Sequence, residues 1–226
     1  MLIIGGHPVP LAIKRSPLAR GVSLRVDPTT GGALLVLPPH IPESKGLAFA
    51  RSKADWLAVR LAALPRAVPF QPGETVPLRG APHLLTAAPD ARRGVWAEDG
   101  AIHVSGRPEH FARRLEDWLK KQAHADLTAS ALPMATRLAR PVARIAVRDT
   151  KSRWGSCTNR GHLAFSWRLI FTPPEVLAYV AAHEVAHLVE MNHSPAFWSI
   201  VASLSPGWKK HRSWLKLHGA QLHRYG

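Results

Sequence analysis

The sequence predicts an α+β fold on three observations. Short apolar stretches broken by Gly, Pro and Asp fill the first hundred residues. A long segment with helical spacing follows, and a nearly all-apolar helix starts near residue 172. The softest boundary falls near residue 105, so a strand-rich region with one helix is expected over 1–105 and a helix-rich domain over 106–226.

Within the first region, Val22 to Val26 alternates, Asp27 to Gly32 turns, and Ala33 to Leu37 returns, which is a hairpin pattern with a longer loop. Ser44 is the expected cap of a helix running to about Leu64, with Leu47, Phe49, Trp56, Leu57 and Leu61 among its apolar positions and Pro65 as its stop. Val76 to Leu78, His83 to Thr86, Val95-Trp96 and Ile102 to Val104 are expected as antiparallel strands.

The second region opens with a charged helix expected from about Pro108 to Leu132, carrying Phe111, Leu115, Trp118 and Leu119 at helical spacing. Residues 142–148 and 162–168 read as two strands flanking a polar turn, Lys151 to Gly161; the remainder reads as helical. There is no internal repeat and no low-complexity tract.

Bulk properties narrow the function classes. Hydrophobic residues make up 46% of the 226, enough for a real core and against disorder. No apolar run approaches the roughly 18 to 20 residues of a membrane span, so no membrane partner is expected. The start lacks the pattern of a secretory signal. A single cysteine, Cys157, excludes an internal disulfide and fits a reducing compartment; cytoplasmic residence is the expectation. The formal charge of +15, from 30 Lys plus Arg against 15 Asp plus Glu, makes nucleic acid a candidate partner through a basic surface. The cations are spread along the chain, however, and a merely solvated basic surface explains them as well. Oligomeric state is not legible.

The chemistry concentrates after residue 172. Thr172 can cap, Pro173 fits the first helical position, and Glu175 completes a capping box. In the helix that follows, His183 and His187 stand four residues apart, hence about 40° apart on one face, and two imidazoles so placed can bite one ion. Glu184 is offset enough to reach a water on that ion rather than the ion itself. Such a buried helix needs partners for these polar groups, because burying them alone costs several kcal/mol.

His193 is the best third ligand. A straight helix would point it away, but Ser194-Pro195 is a cap and first position for a new helix, so His193 sits in a bend. Its spacing from His187 matches the metzincin zinc pattern, with Glu190 where that pattern has Gly; Glu190 is a weaker alternative ligand. With 13 His in the chain, a chance His-Glu-x-x-His must be weighed; the third His and the helix signals tell against it. Three neutral His ligands for Zn2+ leave one position for water, whose pKa the ion lowers toward roughly 7, with Glu184 as general base. Tyr179, Arg153, His211 and Arg212 are candidates to steady an oxyanion. Cys157 is read as a small packing residue rather than a nucleophile or an inhibitory thiolate. Arg153 to Cys157 could either shape a substrate groove beside the helix or serve packing alone.

Ser152-Arg153-Trp154-Gly155-Ser156-Cys157, Ser166-Trp167-Arg168-Leu169-Ile170, His183-Glu184-Val185-Ala186-His187, Asn192-His193-Ser194-Pro195-Ala196-Phe197-Trp198 and Trp214-Leu215-Lys216-Leu217-His218-Gly219 together resemble the YgjP-like metallopeptidase family. The resemblance covers essentially the whole chain and implies a small zincin-like catalytic domain over 106–226, related to SprT-type and minigluzincin proteases. It also implies His183, His187 and His193 as ligands and Glu184 as the catalytic residue. Trp208 departs from the family, which often has Tyr there. The expected function is a zinc-dependent metallopeptidase acting on peptide or protein. The alternatives are a metal-dependent nucleotide (UTP) pyrophosphohydrolase, since some members carry that label, and a basic nucleic-acid-binding module with a structural metal.

Overall fold

The computed structural model describes residues 1–4, 7–27, 31–63, 66–150 and 152–226. Two compact units result, Met1–Ala67 and Val68–Gly226. The boundary near residue 105 lies within the second, where its strands give way to its long helix.

In the first unit β1 (Leu2–Ile4) pairs antiparallel with β2 (His7–Val9). A three-stranded sheet follows from β3 (Leu11–Arg15), β4 (Ser23–Asp27) and β5 (Gly32–Leu37). The expected hairpin is present as β4 against β5, while β3 runs parallel on the other edge of β5; residues 28–30 of its turn lie outside the described residues. Two helices, α1 (Glu43–Ser52) and α2 (Ala54–Ala62), replace the single helix expected. Lys53 leaves helical geometry at the break, and α1 begins after Pro42 with Ser44 already inside it, so Ser44 caps nothing. The expected stop at Leu64-Pro65 lies outside the described residues. Gly46 marks where α1 crosses β5 most closely: a Cβ there would lie 2.5 Å from Leu37 Cδ2. Leu35, Leu37, Ala50 and Leu57 are fully buried in this unit's core.

The second unit opens with β6 (Thr75–Leu78), β7 (Ala81–Ala87), β8 (Val95–Glu98) and β9 (Ala101–Val104), ordered β6-β7-β9-β8. These are the strands expected, except that β7 and β9 run parallel. After a 3-10 turn at Pro108–His110, α3 spans Phe111–Arg137. Every fourth residue from Phe111 to Ala135 is buried, an inclined row suited to crossing neighbours at an angle. That row carries the helix through Pro133 and five residues past the expected end. A proline in a helix interior forfeits one backbone bond; here the continuing burial of Ala131 and Ala135 outweighs it.

β10 (Arg144–Arg148), β11 (Gly155–Cys157) and β12 (His162–Ser166) then form the sheet β10-β12-β11. The stretch expected as a polar turn therefore contains a strand; its first residue, Lys151, lies outside the described residues. Among the described residues β11 pairs antiparallel with β12 alone and forms an edge of the sheet. A buried 3-10 segment, Trp167–Phe171, leads into α4 (Pro174–Ala186). Arg168, buried in that segment, pairs with Asp149 and lies over the Trp167 ring. Thr172 does not cap α4: its hydroxyl donates to the Leu169 carbonyl, and Pro173 occupies the cap position. α5 (Pro195–Leu204) and α6 (Trp208–His218) complete the helices, before a last 3-10 segment, Gly219–Arg224. The architecture is mixed α and β, with strand-rich sheets first and histidine-bearing helices last. Among the described residues no helix is long and apolar enough to cross a membrane.

Candidate metal centre

α4 owes its position to an apolar surface on nearly every side. Val176, Leu177, Val180, Ala181, Ala182, Val185 and Ala186 are all buried, and the helix lies against α3, α5, α6 and β11. His183 and Glu184 are therefore held in a rigid element. The helix ends at Ala186, with His187 as its C-cap. His187 Nδ1 bonds the Glu190 carbonyl at 3.0 Å. Only a protonated nitrogen donates to a carbonyl, so Nε2 of that ring is left as the lone-pair donor.

His193 follows in the bend, and Ser194 caps α5 as expected, its Oγ accepting from Phe197 N at 3.2 Å. That cap returns the chain over the site. His193 Nε2 lies 3.0 Å from His183 Nε2, and one ring nitrogen from each of His183, His187 and His193 lies within 4.8 Å of the others. A tetrahedral ion with bonds of about 2.05 Å imposes nitrogen separations near 3.3 Å. The donor set thus fits zinc or a similar divalent ion with small adjustments. Among the described residues His183 Nδ1 is buried without a hydrogen-bond partner, so the ring is not a satisfied core histidine.

Phe197 builds the floor of the cluster. It is fully buried, and its ring centroid is 4.9, 4.5 and 4.7 Å from those of His183, His187 and His193. Trp198 stacks beside His193 at 5.8 Å and on Trp208 at 4.4 Å, with the Arg212 guanidinium 5.0 Å over its ring. An indole at 208 thus closes the aromatic stack around the third histidine.

Burial, then the neighbouring imidazoles and Arg212, pushes His183 down to about 4. His187 is lowered by burial first, against the opposing pull of the Glu190 carbonyl. Both rings are neutral near pH 7, the state a metal requires. Glu184 is only 5% exposed; burial raises its carboxyl to about 7, with Arg153 pulling the other way.

β11 forms the wall opposite Glu184. A Cβ at Gly155 would sit 2.5 Å from Glu184 Oε1, 2.6 Å from Cγ and 2.7 Å from Cδ. Gly155 is the site residue that pattern reading missed, although it lies inside a quoted motif. Its absent side chain is what makes room for the carboxylate. A cleft runs along β11, its central part lined by Gly155, Cys157, Glu184 and the three histidines.

Arg153 and Tyr179 line one end with His183 and Glu184, whereas His211 and Arg212 belong to α6. Trp154 of the same turn packs on the Gly219 backbone, where a Cβ would come within 3.0 Å of its ring. The Glu190 carboxylate turns back to accept from Asn192 N at 3.3 Å, and Glu190 is not part of the metal-competent group. Cys157 Sγ donates to the Thr158 carbonyl, and burial together with Glu184 pushes the thiol up to about 11.

A zinc-dependent hydrolase of the metallopeptidase class is what this fold and this histidine cluster define. More particularly, residues 20–218 match the model of the YgjP-like metallopeptidase domain, and the chain belongs to that family. Among solved structures, the chain is similar to the metallopeptidase zymogen abylysin of Pyrococcus abyssi. Identity is 23% over 45% of this chain and 91% of that one, with a TM-score of 0.33. No curated protein matches.

Proposed function

We propose that the protein is a zinc peptidase in which His183, His187 and His193 hold the ion and Glu184 is the general base. The observation that carries this reading is the convergence of three imidazole nitrogens within 4.8 Å, beside a buried carboxylate in the same cleft.

When bound, zinc supplies Lewis acidity toward the substrate carbonyl and the attacking water. Glu184 takes the proton of that water as the new C–O bond forms, and returns a proton to the amine as the C–N bond breaks. Gly155 lets the carboxylate reach in. The free edge of β11 pairs with an extended peptide laid along the cleft. Tyr179, whose phenol burial keeps protonated, and Arg153 face the same end of the cleft and donate toward the developing oxyanion. The setting is cytoplasmic and reducing, where Cys157 stays a thiol.

The test is hydrolysis of a broad library of unstructured peptides by the zinc-loaded chain beside Glu184→Gln and His193→Ala. Peptide cleavage lost in both variants, with zinc kept in Glu184→Gln and weakened in His193→Ala, is expected. Intact peptides alongside Glu184-dependent release of pyrophosphate from UTP would replace this reading with the nucleotide one.

A further inference from the structure

His187 also lines a second cavity, of about 390 Å³. It shares His187 and Met191 with the central part of the cleft, so the two adjoin at those residues. Arg140 and Arg160 stand in its wall; no Asp or Glu lines it, and no ion pair forms to either guanidinium among the described residues. The nearest carboxylate along the chain, Glu190, is turned to Asn192 N. Val189 and Met191, 42% and 50% exposed, offer apolar surface beside the two cations.

Both arginines sit on braced backbone. Just past the end of α3, Ala139 has φ 50, and Arg140 N bonds back to the Ala135 carbonyl at 3.0 Å. A left-handed alanine is unfavourable, so the surrounding structure must hold it, and it fixes where Arg140 leaves the helix. Arg160 lies in the tight turn after β11, closed by Gly161 N on the Thr158 carbonyl at 2.9 Å. That turn is tied to the Arg140 segment by Ala143 N on the Gly161 carbonyl at 3.0 Å. The two arginines thus belong to one hydrogen-bonded corner beside the metal cluster.

We infer that this cavity is a substrate subsite for a carboxylate, on the His187 side of the scissile bond, with Arg140 and Arg160 as its cationic clamp. Planar guanidiniums bind carboxylates bidentately and more strongly than neutral donors do, while Val189 and Met191 take the methylenes. The inference rests on the peptidase reading and adds its specificity. An acidic side chain or the terminal carboxylate of the peptide supplies the same chemistry.

Matched peptides with Asp, Asn or Lys at each position, each as free acid and as terminal amide, test it in two ways. Binding is measured by fluorescence anisotropy on zinc-loaded Glu184→Gln chain, and cleavage with the unsubstituted chain. At one position the acidic peptide is expected to bind about tenfold tighter than its Asn counterpart. That ratio should collapse toward unity in Arg140→Gln/Arg160→Gln and persist in the remote surface control Arg113→Gln. Should the double variant fold poorly, Arg160→Glu alone should invert the ratio in favour of Lys. A preference that vanishes on amidation assigns the terminal carboxylate; one that survives it assigns the side chain. Equal binding of acidic and Asn peptides, or a preference untouched by the arginine variants, overturns the subsite. Selective binding without any cleavage would sink the peptidase reading and leave the subsite standing; cleavage without acidic preference would do the reverse.

Discussion

Gly155→Ala isolates the part of the site that depends on shape alone. The new methyl carbon would lie 2.5 Å from Glu184 Oε1, 2.6 Å from Cγ and 2.7 Å from Cδ. Ordinary carbon–oxygen contacts lie near 3.5 Å, so the carboxylate must retreat by roughly 1 Å. It has little room, because α4 is buried on nearly every side. A misplacement of that size costs on the order of a hundredfold in rate, with an overpacking penalty of about 1–3 kcal/mol in stability. The assay is kcat and KM on one cleaved peptide, with zinc content measured on the same preparation. We expect kcat to fall about a hundredfold while zinc stays near one per chain, since the clash falls on Glu184 and not on the histidines. Glu184→Ala removes Cγ, Cδ and both oxygens, so the stability cost of Gly155→Ala should largely vanish in that background. Unimpaired turnover by Gly155→Ala, or zinc loss with it, would refute the reasoning.

In metal-free protein, Glu184→Gln is expected to raise stability in a pH-dependent way. The folded carboxyl is held at about 7 against an ordinary value of 4.5, so the folded state binds the extra proton between those values and loses stability as pH rises through them. The variant's advantage should be absent below pH 4.5 and complete above 7, reaching up to about 3 kcal/mol. Thermal melts with chelator across that range check it, and a gap that widens toward acid contradicts it. Phe197→Ala removes the floor under the three histidines and should cost about 3–5 kcal/mol together with zinc affinity. Chemical denaturation and chelator competition measure the two losses, and unchanged zinc affinity would deny Phe197 its supporting role.

What was legible in the sequence follows the range of the interactions. The spacing of His183, Glu184 and His187 and the Ser194-Pro195 start of α5 are written within a few residues, and Ser194 caps as its type predicts. Ser44 and Thr172 show the limit of that rule. Each is a good cap by type, but Pro42 and Pro173 hold the cap positions instead. β11 escaped notice because three residues, Gly155, Ser156 and Cys157, carry neither alternation nor β-branching; only their pairing with β12 makes them a strand. The parallel partners β3 with β5, β7 with β9 and β10 with β12 likewise rest on contacts distant in sequence. Gly155 is the functional instance: its importance is a distance to Glu184, which no local pattern encodes.

X-ray absorption at the zinc edge of the reconstituted protein tests the central claim most directly. The account predicts about one zinc per chain bound by three imidazole nitrogens and one light-atom ligand near 2.0–2.1 Å. Sulfur scattering near 2.3 Å, which would put Cys157 on the ion, or failure to bind zinc at all, would contradict it.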